Sequence, residues 1–400
     1  MKALQFNISP PHYLLLKSLG LLYPALYYNG PIASIKLVDI EKPTPFDGEW
    51  VLVKTRYCGF CGSDLNLLML RDSPMATPFT SFPCIIGHEI YGTIEDPGKT
   101  PFKHGDRVVV MPSLSCVTRG IKQKCHACEI GRHANCENVA EGRLSPGLFT
   151  GICHDINGGF AEYLIAHQSQ IFIVPSSIND KSAVLTEPLS IALQAIYDSK
   201  PEDSDHVCII GCGVIGLMLI HAIRGLKSKA HITVVDPSKF HVQKALEYGA
   251  NEALEENFID GAARVVNGKV YKPLFGERIM QGGFDKVYDT VGSSKTIQLA
   301  IISTRVRGTV SIIGIGNRLS FDPTPLWLKL ITLKASYGYG YVNNNGGSAH
   351  VFDIALNMLK DNQKIEEMVT HVFSIDQYKT MIEVNLNKHK YHAIKTVVTF

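Results

Sequence analysis

Residues that can bind a metal ion are concentrated in the first half of the chain. Cys61, His88 and Glu187 each lie in a short polar motif and each carry an atom that zinc accepts. Three protein ligands would leave one coordination position open for water or substrate, as in catalytic zinc sites. Each residue alone could instead be a buried cysteine, a core histidine or a capping glutamate. The sequence spacing does not show that the three meet in space.

A second cluster consists of cysteines only. Two of them form a Cys-x2-Cys unit, and the whole set is Cys116, Cys125, Cys128 and Cys136. Four thiolates around one zinc ion make a closed structural site, which we place in a loop at about residues 113–138. A nucleic-acid-binding module is the alternative, since the same loop carries Arg119, Lys122, Lys124 and Arg132. We favour a solvated, mixed-charge loop as the explanation of these charges.

A glycine-rich motif in the second half of the chain is typical of dinucleotide binding. Gly211, Gly213 and Gly216 form G-x-G-x-x-G after the apolar run 206–210, and Val214 and Ile215 open an apolar helical pattern. Such glycines permit a tight turn, the approach of a pyrophosphate and close packing of helix on strand.

An acidic residue completes this fingerprint. Asp236 ends the next β-branched run, where a carboxylate would accept hydrogen bonds from the adenosine ribose. NAD is therefore the expected cofactor, with Lys239 beside it in the following helix.

Composition narrows the class of protein. The chain has 400 residues, 45% of them hydrophobic, and a formal net charge of +2. This composition excludes wholesale disorder and argues against a dedicated nucleic-acid or membrane binder. The uncharged stretch 18–35 contains Gly20, Pro24 and Pro31, which interrupt any spanning helix. Since eight of ten cysteines lie between Cys58 and Cys153, we expect metal ligation in a reducing, cytoplasmic compartment.

The hydrophobic pattern changes near residue 190. Short β-rich runs precede it, and β-branched runs alternate with helical patterns after it, which predicts a β-rich unit followed by a doubly wound parallel sheet. We expect a strand at 393–400 to return to the first domain. The predicted strands and helices are 50–57, 91–95, 107–111, 162–174, 206–210, 214–226, 231–236, 239–248, 286–290, 309–313 and 351–360.

At these motifs the chain resembles the zinc-dependent medium-chain dehydrogenases, the superfamily of alcohol, sorbitol, threonine and glucose dehydrogenases. Further matching motifs are Met1-Lys2-Ala3-Leu4, Gly105-Asp106-Arg107-Val108, Gly158-Gly159-Phe160-Ala161-Glu162-Tyr163, Glu187-Pro188-Leu189-Ser190 and Asp289-Thr290-Val291-Gly292. The resemblance implies an α/β fold with a GroES-like catalytic domain at 1–189, a Rossmann NAD-binding domain at 190–338, and a return to the first domain at 339–400.

The resemblance also implies residue roles. Cys61, His88 and Glu187 match the ligands of the catalytic zinc, and Glu89 matches a carboxylate that can approach the metal. Asp64 matches the residue that orients the ligand histidine, and Ser63 matches the start of a proton relay. The implied reaction is hydride transfer between a secondary alcohol, polyol, sugar or amino alcohol and NAD, in a homodimer or homotetramer with no nucleic-acid or membrane partner.

Three features depart from the family pattern. Eight residues separate Cys116 from Cys125 where two are usual, so His126 or Cys153 could replace Cys116 as the fourth structural ligand. Asn66 stands where many members carry a relay histidine. The segment 257–282 resembles an insertion without an assigned role.

Two other interpretations remain open on sequence grounds. One is a zinc-free, quinone-reductase-like enzyme of the same superfamily. The other is a non-enzymatic protein that binds NAD or nucleic acid through the cysteine loop.

Overall fold

The computed structural model describes residues 1–254, 257–316, 318–344, 346–360 and 363–400. They form two compact units, one of residues 1–190 with 338–400 and the other of residues 191–337.

The first unit contains the following elements before residue 200. Its strands are β1 (Lys2–Phe6), β2 (Ile35–Asp39), β3 (Trp50–Phe60), β4 (Cys84–Ile85), β5 (Glu89–Asp96), β6 (Arg107–Val110), β7 (Tyr163–His167) and β8 (Ile171–Ile173). Its helices are α1 (Pro10–Gly20), α2 (Gly62–Leu68), α3 (His126–Glu129), α4 (Asp180–Ala183) and α5 (Thr186–Asp198), the last of which continues into the second unit.

The second unit is built on a six-stranded parallel sheet. Its strands are β9 (His206–Ile210), β10 (His231–Val235), β11 (Glu252–Leu254), β14 (Phe284–Asp289), β15 (Thr304–Ile312) and β16 (Thr332–Ala335), with β12 (Lys269–Tyr271) and β13 (Ile279–Gln281) in a separate hairpin. The helices are α6 (Val214–Gly225), α7 (Lys239–Glu247), α8 (Phe258–Val265), α9 (Ser294–Ser303) and α10 (Thr324–Leu328). The sheet order β11-β10-β9-β14-β15-β16 runs outward from β9 in both directions, which is the doubly wound topology.

The chain then returns to the first unit. The returning elements are β17 (Tyr341–Asn344), β18 (Gly347–His350), α11 (Val351–Lys360), β19 (Val369–Ser374), α12 (Tyr378–Leu386), α13 (Lys388–Tyr391) and β20 (Lys395–Thr399). Strand β20 pairs antiparallel with β3 and parallel with β19, so the last strand lies in the main sheet of the first unit.

Strand β3 organises the first unit. It pairs with β5, β7 and β20, and the main sheet has the order β19-β20-β3-β5-β6-β8. A second sheet of order β2-β1-β4 lies beside it. Buried side chains from both sheets and from α1, α2 and α12 form one hydrophobic core. Because β3 and β5 are antiparallel, this arrangement places the end of β3 next to the start of β5.

One predicted element was wrong in detail. The run 162–174 was expected as a single strand but forms β7 and β8 with a turn between them. The turn is held by side chains, because Gln170 Oε1 accepts from the His167 N–H at 3.0 Å and His167 Nδ1 accepts from the Ser169 N–H at 3.1 Å. These bonds offer the backbone an alternative to the sheet ladder.

The segment 257–282 divides into two parts. Helix α8 contributes Ala262 and Ala263 to the core of the second unit, whereas β12 and β13 form a hairpin whose tip carries exposed Leu274 and Phe275. Among the described residues, no helix is both long and apolar enough to cross a membrane.

Candidate active site and metal centres

The junction between β3 and α2 positions the first group of candidate site residues. Cys61 is the N-cap of α2, and its backbone N–H donates to Asp64 Oδ2 at 2.8 Å. Capping bonds of this kind satisfy donors that the first helical turn leaves unpaired. Consequently the Cys61 thiol and the Asp64 carboxylate are fixed at the same helix end.

A candidate metal centre forms where this helix end meets the start of β5. Ligand atoms of Cys61, His88 and Glu89 all lie within 4.8 Å of one another. Ser63 Oγ is 3.4 Å from His88 Nε2, and Asp64 Oδ1 is 3.5 Å from His88 Nδ1. Sulfur, imidazole and carboxylate are zinc ligands, and a carboxylate on the second ring nitrogen is a common means of orienting a ligand histidine. These residues therefore fit a zinc ion.

Glu89 also belongs to a buried ion pair. Lys395 Nζ donates to Glu89 Oε1 at 2.5 Å and to Oε2 at 2.7 Å, and both side chains are 1% exposed. Burial opposes the ammonium form, but the Glu89 charge raises the pKa of Lys395 above its ordinary value. A Cβ at Gly59 would collide with Glu89 Oε2, so a larger residue at this position would displace the carboxylate.

Glu187 lies near this centre with a different partner. Its Oε1 accepts a hydrogen bond from the Tyr339 hydroxyl at 2.6 Å. Burial raises the pKa of Glu187 to about 7, the Glu89 charge adds to the effect, and His88 opposes it. Sequence analysis assigned Glu187 as the third ligand beside Cys61 and His88. The structure instead groups Glu89 with those two residues.

The four predicted structural cysteines come together. The sulfur atoms of Cys116, Cys125, Cys128 and Cys136 all lie within 4.8 Å of one another. The Cys125 N–H donates to Cys116 Sγ at 3.4 Å, and the Asn138 amide donates to the same sulfur at 3.3 Å. Donors aimed at sulfur stabilise thiolates, so the group fits a tetrahedral zinc ion.

The long Cys116–Cys125 interval does not displace Cys116 from this group. Cys153, one alternative fourth ligand, packs in an apolar cluster with Trp50 and Leu114. His126, the other alternative, is outside the four-sulfur group.

The environment of one charged residue in this loop, Arg119, differs from the predicted one. Arg119 was interpreted as part of a solvated face but is 1% exposed. Its guanidinium donates to the carbonyl oxygens of Glu141 at 3.1 Å and Leu144 at 3.0 Å, and it also bonds the Gly147 carbonyl. These bonds explain the burial, since a buried cation needs acceptors. Arg119 therefore stabilises the loop and is not available to a nucleic acid.

The glycine motif forms the turn between β9 and α6. Gly211 has a φ of +94°, and a Cβ on Gly216 would collide with the Gly211 carbonyl oxygen. Gly213 is the N-cap of α6, and a Cβ there would meet no atom within 4 Å. The open space at the helix N-terminus, beside Val214 and Ile215, is suited to the phosphate groups of a dinucleotide.

Asp236 closes this loop. Its Oδ2 accepts from the Cys212 N–H at 2.7 Å and its Oδ1 accepts from the Ser238 N–H at 2.8 Å. Burial would raise the pKa of Asp236, but nearby His241 and these backbone donors hold it below its ordinary value. Oδ2 accepts one hydrogen bond here and keeps a lone pair for a ribose hydroxyl. Lys239, in contrast, is exposed at the start of α7.

Five cysteines outside the two metal groups are buried, as expected of packing residues: Cys58, Cys84, Cys153, Cys208 and Cys212. No sequence motif indicated Lys395, Tyr339 or His241, which contact Glu89, Glu187 and Asp236.

Comparison with protein families places both halves of the chain. Residues 47–176 match the family model of the alcohol dehydrogenase GroES-like domain, and residues 214–361 match that of the zinc-binding dehydrogenases. Starvation-sensing protein RspB of Escherichia coli is 27% identical over 369 residues, covering 92% of this chain and 96% of RspB. The (R,R)-butanediol dehydrogenase of Bacillus subtilis is 28% identical over 352 residues, covering 86% of this chain and 90% of that enzyme.

Solved structures have the same fold. The 2R,3R-butanediol dehydrogenase from Bacillus subtilis aligns with a TM-score of 0.71 at 24% identity, covering 92% of this chain and 96% of that one. Galactitol-1-phosphate dehydrogenase from Escherichia coli aligns with a TM-score of 0.73 at 20% identity over the whole of both chains.

The chain therefore belongs to the zinc-dependent medium-chain dehydrogenase superfamily. Within this class it is a zinc-containing, NAD-dependent oxidoreductase that acts on the hydroxyl group of a small molecule.

Proposed function

We propose that the protein oxidises a secondary hydroxyl of a small diol or polyol, with NAD as the hydride acceptor. The observation that carries this proposal is the grouping of Cys61, His88 and Glu89 beside the Ser63 hydroxyl. The substrate class is supported by the names of the relatives, which include butanediol and sorbitol dehydrogenases.

The reaction divides between the cofactors and the chain. Zinc supplies Lewis-acid polarisation of the substrate hydroxyl, and NAD takes the two electrons as a hydride. Ser63 accepts the hydroxyl proton and releases its own outward to solvent, as supported by its exposed position next to His88. Asp64 orients the His88 ring through Nδ1. The substrate carbon loses its hydrogen as hydride, and its C–O bond becomes a carbonyl.

The acidic residues have separate roles in this proposal. Glu89 is the third ligand, held in place by Lys395. Glu187 exchanges a proton within reach of the site, supported by its pKa of about 7 and its bond to Tyr339. A carboxyl group with a pKa near neutrality can both give and take a proton under working conditions.

The nicotinamide cofactor binds the turn after β9. Gly211, Gly213 and Gly216 leave room for its phosphates, with Val214 and Ile215 in the first helical turn, and Asp236 accepts from its ribose hydroxyls. Lys239, exposed at the start of α7, would approach the same ribose.

The test is a screen of butane-2,3-diols, sorbitol, xylitol and amino alcohols, read as formation of reduced nicotinamide. We expect a secondary diol or polyol to give the highest kcat/KM. Ser63→Ala should reduce kcat by about a hundredfold or more, because one positioned proton acceptor contributes on that order. Ser63→Thr is the matched control, since it keeps the hydroxyl.

Two results would contradict the proposal. Either no polyol or diol is turned over by the zinc-loaded protein, or Ser63→Ala matches the wild type at equal zinc content.

Remaining features belong to the same proposal. The four-cysteine group holds a second, structural zinc ion, and the enzyme works as a homodimer or homotetramer without a nucleic-acid partner. A cytoplasmic location is supported by ten cysteines that are all free of disulfide bonds.

A further inference from the structure

A helical hairpin near the start of the chain takes no part in either metal centre or in the cofactor loop. It consists of α1, the connecting residues Leu21 to Tyr23, and a 3-10 helix at Pro24–Tyr27. We call residues 21–25 the apolar apex, since all five are uncharged and exposed.

The hairpin is firmly attached to the first unit. Leu16 and Tyr27 are buried in its main core. His12 Nε2 bonds the Ile32 carbonyl oxygen at 2.7 Å, and Lys17 Nζ donates to the carbonyl oxygen of Leu70 at the end of α2. The apex is therefore presented on a fixed support.

The exposed side of the hairpin, opposite the side that packs on the core, is also apolar. Leu21, Leu22 and Tyr23 are 77%, 74% and 66% exposed, and Leu14 on α1 is 67% exposed. A helix that is apolar on both sides is normally covered on both. Contiguous exposed apolar side chains mark sites of contact with proteins or membranes.

The charges around the hairpin favour an anionic surface. Residues 1–38 contain no aspartate or glutamate. Two exposed cations lie at the base of the hairpin: Lys379, whose Nζ donates to Asn29 Oδ1 at 2.9 Å, and Arg71, whose charge acts on the pKa of Tyr27. Asp72 and Glu383 also lie at this base, whereas the hairpin itself carries Lys17 and no acidic residue.

We propose that the apolar apex docks this protein on the surface of a lipid bilayer that contains anionic lipids. Leucine side chains enter the boundary of the acyl chains, and tyrosine is favoured at the level of the headgroups. Lys17 in the hairpin and the basic side chains at its base add attraction to anionic headgroups. The near-neutral charge of the whole chain argued against a dedicated membrane binder, whereas surface docking needs only a local exposed patch.

A second copy of the chain is the competing occupant. Stable protein–protein interfaces use about 20–30 residues on each side. The apex is five consecutive exposed residues, fewer than such an interface uses, which fits insertion into a bilayer better than a contact between identical copies.

The experiment measures co-sedimentation of the zinc-loaded, full-length protein with two kinds of vesicle. One kind is phosphatidylcholine alone, and the other is phosphatidylcholine with phosphatidylglycerol. We expect binding to the anionic vesicles, weakened by salt. Leu21→Ser with Leu22→Ser should lower the partition coefficient by about a hundredfold, since each leucine contributes about tenfold. Both positions are exposed, so the variant should fold.

Leu274→Ser with Phe275→Ser is the matched control, because these side chains are 95% and 92% exposed on the β12–β13 hairpin. It should bind vesicles like the wild type. As a second readout, Tyr23→Trp should add an emission component that shifts to shorter wavelength with anionic vesicles.

Three outcomes would overturn the proposal: no vesicle binding by the wild type, equal binding by the apex variant, or an equal loss in the control variant. A fall in molar mass of the apex variant in light scattering, without vesicle binding, would assign the apex to a contact between copies. Turnover of a water-soluble alcohol should be the same in all variants, which separates this inference from the proposed function.

Discussion

Removal of the Lys395 ammonium should strongly destabilise the first unit. Lys395→Met leaves the Glu89 carboxylate at 1% exposure without its counter-charge, and it also removes a donor 3.3 Å from the Phe60 carbonyl oxygen. Breaking a buried pair on one side costs about 3–5 kcal/mol, because the remaining charge stays desolvated. We expect a loss of that size in the free energy of unfolding.

The double variant is the informative comparison. Glu89→Gln with Lys395→Met removes both charges, and replacing a buried pair by neutral groups is often close to neutral in stability. We therefore expect a coupling energy of about 3 kcal/mol between the two positions. The free energies come from urea unfolding followed by circular dichroism.

Metal binding must be separated from this cycle, because Glu89 is also a candidate ligand. A metal bound only by the folded state adds stability that depends on its affinity. The cycle is therefore measured twice, in the wild-type background and in a Cys61→Ser background that weakens the catalytic centre. A coupling energy below about 1 kcal/mol in the Cys61→Ser background would be that of a solvated surface pair and would refute the argument from burial.

Three further predictions concern the structural zinc, the cofactor and pH. Cys125→Ser should reduce bound zinc from two ions to one per chain and lower the melting temperature, since binding energy at a structural site is folding energy. Elemental analysis measures the zinc content and calorimetry measures the melting temperature. An unchanged zinc content would contradict this prediction. Asp236→Ser should lower kcat/KM with NAD and raise kcat/KM with NADP, because the Asp236 carboxylate repels a 2′-phosphate. A wild type that prefers NADP would contradict the role of Asp236. Burial, with a smaller contribution from His133, lowers the pKa of His350 to about 3, and its Nδ1 already accepts the Phe352 N–H at 3.2 Å. At acidic pH the folded state thus binds fewer protons than the unfolded state. The contribution of His350 to the free energy of unfolding should be fully present above pH 6.5 and should fall by about 3 kcal/mol by pH 4. His350→Asn, which keeps an acceptor but does not titrate, should flatten this part of the curve in urea titrations, and an unchanged slope would show that other groups cause it.

Elements governed by local pattern could be predicted from the sequence. Strand β9 has the predicted bounds, and α6 begins at the predicted Val214, because an apolar strand, a glycine turn and an apolar helix follow each other without interruption. The four-cysteine group was also predictable, since thiolates have few other reasons to cluster in a free state. The division of 162–174 into β7 and β8 could not be predicted from the sequence, because it depends on the side-chain hydrogen bonds of His167 and Gln170.

The choice between Glu89 and Glu187 depends on contacts that are distant in sequence. Lys395 lies 306 positions from Glu89, and Tyr339 lies 152 positions from Glu187. Nothing near either glutamate in the sequence indicates its partner. One signal was present: Lys395 is the charged residue in the otherwise uncharged run 393–398, and charged residues are seldom fully buried unless paired.

The buried pair also links the metal centre to the last strand of the fold. Strand β20 pairs with β3 in the register Thr396 to Phe60, which brings Lys395 beside Glu89 at the start of β5. Before β20 docks, Glu89 would have no buried counter-charge and would favour solvent over a position next to Cys61 and His88. The three-residue metal group thus becomes stable only when the chain has closed its longest-range strand pairing, a contact with a high entropic cost. Catalytic chemistry in this protein consequently depends on a strand that supplies none of the metal ligands.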